Sequence, residues 1–92
     1  MASYRVFITE RAEKDIAAID SRKDRERVDQ RIRQLADNPR PTGSKKLSGL
    51  RERYRIRQGD YRILYSIEDA IRIVSIVHVG HRKDVYRRRG RA

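Results

Sequence analysis

The sequence predicts a small α+β domain in which two helices cover one face of an antiparallel sheet. Three observations lead there. One strand-like run opens the chain at 3–8, two helical stretches follow, and three more strand-like runs crowd into 54–79. The last of these, Ile71 to Val79, is apolar on nearly both faces, which sets it centrally in its sheet with the two helices as the available cover. Strand, helix, helix and then a three-strand antiparallel meander is the predicted order, and 92 residues suffice for one core and one domain, 1–92.

Each element has a local reason. Tyr4, Val6 and Ile8 alternate with Arg5 and Phe7, as a strand with one covered face requires. Thr9 can cap the first helix through its hydroxyl, and Glu10 and Glu13 suit the positive end of the helix dipole. Ala12, Ile16 and Ile19 then recur at helical spacing until Asp20-Ser21. Either Asp20 or Ser21 can cap the second helix, whose apolar stripe is Val28, Ile32 and Leu35. Its other positions, including Arg22, Lys23, Arg25, Arg27, Arg31 and Arg33, interleave with Asp24, Glu26 and Asp29. That pattern reads as a solvated face laced by i,i+4 ion pairs.

Asn38-Pro39-Arg40-Pro41 ends the helix, because proline cannot continue its hydrogen-bond ladder. Thr42 to Leu50 reads as a basic loop carrying Lys45 and Lys46, with Leu47 as its buried anchor. Gly59-Asp60 is a two-residue hairpin loop, since glycine accepts positive φ and aspartate suits the second position. Glu68-Asp69 marks the next turn, and Arg87 to Arg91 falls in a basic, mobile tail over 87–92.

Composition narrows the function. The chain carries 24 Lys+Arg against 13 Asp+Glu, a formal net charge of +11. Such a field favours polyanions, with nucleic acid first and a masking acidic protein partner compatible with the same surface. The absence of cysteine excludes disulfides, thiolate chemistry and cysteine-rich zinc sites. No apolar run approaches the roughly 20 residues that span a bilayer, and no signal-peptide h-region opens the chain, so no membrane partner and a cytoplasmic location are expected.

If Gly59 and Asp60 form the loop, Arg57 pairs across from Arg62 and Arg55 from Leu64. Three guanidinium groups then share the sheet face opposite Tyr54, Ile56, Ile63 and Tyr65. Like charges so placed destabilise one another, which makes sense where an anion visits; the plainer reading is an edge strand whose charge discourages aggregation.

His78 and His81 come with neither His-x-x-x-His spacing nor an acid cluster of metal-ligand type, so neither metal nor other cofactor is expected. Arginine, lysine, tyrosine and histidine are suited to metal-free RNA cleavage, in which the substrate 2′-hydroxyl is the nucleophile. That chemistry needs a base, charge stabilisation at phosphorus and a proton for the leaving oxygen. Arginine forks serve the second need, and Tyr86 or His81 could serve the first. His78, inside an apolar strand, reads as a core histidine.

These residues, in this order, resemble the RelE branch of the RelE/ParE superfamily, the toxins of type II toxin–antitoxin pairs. The resemblance runs from Thr9-Glu10-Arg11-Ala12 through Lys46-Leu47-Ser48-Gly49 to Tyr54-Arg55-Ile56-Arg57, Tyr61-Arg62-Ile63-Leu64-Tyr65 and Val79-Gly80-His81-Arg82-Lys83-Asp84-Val85-Tyr86. It implies a small microbial-RNase-like fold and cleavage of messenger RNA in the ribosomal A site. It also implies an antitoxin that wraps and silences the toxin and assembles it into a higher oligomer.

Carried over by position, Arg55 and Arg57 match a basic pair that is more often lysine, and Arg62 matches the arginine that stabilises the transition state. Arg82 matches the arginine near the leaving group and Tyr86 the tyrosine near the attacking hydroxyl, with His81 helping to bind or exchange protons. Lys45, Lys46, Lys83 and the tail would add RNA contacts that raise affinity without reading sequence. The other branch implies a different activity, a ParE-like poison of DNA gyrase without nuclease chemistry.

Overall fold

The computed structural model describes residues 3–47, 49 and 52–81. Its elements are β1 (Arg5–Ile8), α1 (Glu10–Ala17), α2 (Arg22–Gln34), β2 (Lys45–Lys46), β3 (Arg53–Gln58), β4 (Tyr61–Glu68) and β5 (Ile73–His81). The strands form one sheet in the order β1-β5-β4-β3-β2, so the most apolar strand, β5, is interior with a partner on each side, while the central place its sequence predicts is taken by β4. β3, β4 and β5 are the expected antiparallel meander. β1 pairs parallel to β5, with Val6 beside Val74 and Ile8 beside Ile76.

Both helices start where the sequence places their caps. The Ala12 amide donates to Thr9 Oγ1 at 3.3 Å, and the Asp24 amide to Ser21 Oγ at 3.1 Å, which selects Ser21 over Asp20. Thr9 also donates its hydroxyl to the Ile76 carbonyl, tying the end of β1 to β5. Ala12, Ile19, Val28, Ile32 and Leu35 are buried against Tyr54, Ile56, Ile63, Tyr65, Ile67, Val74, Ile76 and Val79 of one sheet face. The opposite helix face carries the expected ion pairs, Arg22 with Glu26 and Arg33 with Asp29.

The segment after α2 is fastened to the sheet. Tyr65, fully buried, donates its hydroxyl to the Pro39 carbonyl at 2.8 Å, and burial raises its pKa. Arg40 donates two hydrogen bonds to the Asp69 carboxylate at 2.7 and 3.1 Å, a third to Tyr54 Oη at 3.1 Å, and lies over the Tyr54 ring. Tyr4 donates to Asp69 as well, at 2.7 Å. Arg40 foremost, then Tyr4, holds the Asp69 carboxyl down at about 2.

Several boundaries differ from the sequence reading: α1 ends at Ala17, ahead of Asp20-Ser21, and β5 spans Ile73–His81 rather than starting at Ile71. Lys45 and Lys46, expected in a loop, pair with β3 as a two-residue strand, and Leu47 beside them is half-buried. β4 runs on through Glu68, so its turn to β5 falls at 69–72, with Arg72 at φ 54°. The predicted tail, 87–92, lies outside the described residues. No helix among them is long and apolar enough to cross a membrane.

Candidate functional site

Gly59 at φ 61° closes the β3–β4 hairpin with Asp60, and this loop fixes the register that the arginines need. Arg57 stands opposite Arg62 and Arg55 opposite Leu64, while Ile56 stands opposite Ile63 in the core. Alternation therefore sends Arg55, Arg57 and Arg62 to the sheet face that the helices leave uncovered. The Arg55 pKa is lowered, first by burial and then by the charges of Arg57 and Arg62. The three side chains crowd at a cost, and an anion would relieve it.

The lysines divide. Lys45 stands opposite Arg55 and joins its face, whereas Lys46 stands opposite Tyr54 and brings Nζ within 3.6 Å of Glu52 Oε1. A cleft of about 350 Å³ opens at this edge, lined by Arg31, Gly43, Lys45, Arg55, Ile56 and Arg57. Its side chains include four cations and no carboxylate. Arg31 comes from α2, where the sequence suggests a solvated position. Its place three residues after Val28 and next to Ile32 puts it on the flank of the buried stripe, which was the available signal.

The histidines also part company. His81 stands opposite Tyr61, with the two rings edge to face at 5.0 Å, and by alternation shares the side of Ile63 and Val79. The structure does not bring it to the arginine face. His78 stands opposite Leu64 and so takes that face, half-buried rather than part of the core.

The reason is a β-bulge. Tyr65 pairs with Ile76 but Leu64 with His78, so Val77 is an extra residue and the alternation of β5 reverses beyond it. His78 Nδ1 lies 2.7 Å from Asp15 Oδ2 of α1, and the same oxygen accepts the Val79 amide at 3.0 Å. The imidazole bends over Gly80, where an added Cβ would fall 2.9 Å from Nε2. Gly80 is the residue opposite Arg62.

Arg82, Lys83 and Tyr86 lie outside the described residues. Among those described, no three His, Asp or Glu side chains gather into a group that could hold a metal ion. The arrangement can bind phosphate through converging guanidinium groups, and it sets a carboxylate-bound imidazole on the same face.

Comparison with known proteins agrees with this architecture. Residues 6–86 match the family model described as the ParE toxin of the type II toxin–antitoxin system parDE. The toxin RelE of Mycobacterium tuberculosis is 31% identical over 84 residues, which cover 91% of this chain and 87% of that protein. The crystal structure of the toxin–antitoxin complex RelBE2 from Mycobacterium tuberculosis superposes with a TM-score of 0.76 at 28% identity, covering 88% of this chain and 93% of that one. The archaeal RelE–RelB complex from Pyrococcus horikoshii gives 0.77 at 27% identity, covering 87% and 96%. The chain belongs to the RelE/ParE superfamily of type II toxin–antitoxin toxins, on its RelE branch.

Proposed function

We propose that this toxin is a ribosome-dependent endoribonuclease that cuts messenger RNA in the A site and is silenced by a cognate antitoxin. The observation that carries the reading is the opposition of Arg57 and Arg62, with Arg55 beside them, on the uncovered sheet face. Such a cluster destabilises the free protein and suits a bound phosphodiester. Structural neighbours solved as complexes with RelB support an antitoxin partner here. The excess of basic residues supports binding to messenger and ribosomal RNA.

In the proposed reaction the substrate supplies its own nucleophile. The 2′-oxygen attacks the adjacent phosphorus, the P–O5′ bond breaks, and a cyclic phosphate and a 5′-hydroxyl result. Arg62 stabilises the charge that grows on the non-bridging oxygens, and Arg55 and Arg57 hold the backbone on either side. By the family resemblance, Arg82 stands near the leaving oxygen and Tyr86 near the attacking hydroxyl, with Lys83 and Lys45 on the flanking RNA. Cleavage requires no resident metal. His81 and Lys46 face elsewhere by register, so the reaction does not rest on them.

The description of the matching family model favours a second reading, a ParE-like gyrase poison. Inducing the toxin while following messenger integrity and plasmid supercoiling separates the two. The endoribonuclease predicts broken messages, intact supercoiling and loss of toxicity in Arg62→Ala. Altered supercoiling with intact messages would establish the gyrase reading instead.

A further inference from the structure

We propose that His78, held by Asp15, takes the 2′-hydroxyl proton in this cleavage reaction. The inference rests on the endoribonuclease reading and adds a catalytic residue to it. Three geometric facts carry it. The bulge at Val77 turns His78 onto the face of Arg55, Arg57 and Arg62. The Asp15 carboxylate engages Nδ1 at 2.7 Å and is itself anchored by the Val79 amide at 3.0 Å. The ring lies over Gly80, so that Nε2 occupies the space a side chain would fill directly opposite Arg62.

The chemistry follows from that orientation. Facing a carboxylate, Nδ1 carries the proton, which leaves the Nε2 lone pair as acceptor toward the arginine face. Asp15 fixes the orientation of the ring, with Nε2 directed away from the carboxylate. The O2′–P bond forms as that proton moves to Nε2, the P–O5′ bond breaks, the departing 5′-oxygen takes a proton from water, and the hydroxide so formed takes the proton from Nε2, which restores the base. The carboxylate bonded to His78 is Asp15 of α1, while on β4 Leu64 stands opposite His78 and the Arg62 guanidinium stands opposite Gly80, two residues on. A purely structural pair would only tie α1 to β5, and its loss would change stability without changing the pH dependence of the chemistry.

The test is single-turnover cleavage of a message on programmed ribosomes between pH 5.5 and 8.5, using the full chain. Each variant is also checked for folding by circular dichroism. The wild type should show a rate that rises to a plateau as an imidazole loses its proton. His78→Gln should lower the plateau at least about 10²-fold, the size of a lost general base, and erase the rising limb. Asp15→Asn should cut the rate by less, because the ring remains but can turn.

Gly80→Ala is the control against misfolding, since β5 is extended there and the tip of the imidazole is the nearest obstacle. It should fold and cleave slowly because the ring is displaced. Wild-type rate and pH profile in folded His78→Gln, or in Gly80→Ala, would overturn the proposal while leaving the nuclease reading intact. A wild-type protein that leaves the message whole would overturn both.

Discussion

Arg57 and Arg62 face each other directly across the β3–β4 ladder, two like charges where a stable hairpin would set opposite ones. Function and stability therefore pull apart at this pair. Arg57→Thr should raise the free energy of urea unfolding by a few tenths of a kcal/mol, about the size of a relieved cross-strand repulsion. The same change should slow message cleavage. Arg62→Ala should share the stability gain but lower cleavage by about 10²–10³-fold, as loss of a transition-state donor does. Equal cleavage by both variants and the parent would dissociate the arginines from the chemistry.

Tyr65 offers the opposite case, a buried polar atom whose work is structural. Its hydroxyl donates to the Pro39 carbonyl at 2.8 Å beneath the stacked ring of Tyr54. Tyr65→Phe keeps the packing but leaves that carbonyl without its donor, and should cost about 1–2 kcal/mol in urea unfolding. RNA cleavage by the folded variant should be unchanged, because Tyr65 lies on the covered face.

The Arg40–Asp69 contact sets an acid limit on stability. Asp69 is held down at about 2 against an unfolded value near 3.9, so folding favours its charged form. The contribution is therefore complete above about pH 4 and is lost as pH falls towards 2. Thermal unfolding followed from pH 5 to pH 2 should decline more steeply for the parent than for Asp69→Asn, which starts lower. Parallel curves would show that Asp69 contributes nothing to the acid limb.

The sequence made most of this arrangement legible through local signals. Gly59-Asp60 is a two-residue loop of definite register, and once it closes, the opposition of Arg57 to Arg62 follows. Thr9 and Ser21 begin the helices for equally local reasons. Two things escaped because they depend on distant partners. Lys45-Lys46 has no apolar alternation of its own and becomes a strand only by pairing with β3. Strict alternation from Val74 and Ile76 sends His78 inward and His81 outward, and the bulge at Val77 reverses both. Nothing in Ser75-Ile76-Val77-His78 announces an extra residue, for it exists only relative to β4.

The two lysines of β2 allow that structural division to be measured. Lys45 shares the face of Arg55 and lines the cleft with Arg31 and Arg57, whereas Lys46 turns to Glu52. Binding of a single-stranded RNA carrying a 2′-deoxy block should weaken with salt in proportion to the phosphates engaged, by about 0.7 in logarithmic slope per contact. Lys45→Gln and Arg31→Gln should each make the slope shallower by about that amount and weaken binding to all sequences alike. Lys46→Gln should leave the slope unchanged, since its ammonium lies on the other face and already has a carboxylate. Equal losses at Lys45 and Lys46 would mean that RNA follows net charge alone and that the register of β2 does not direct it.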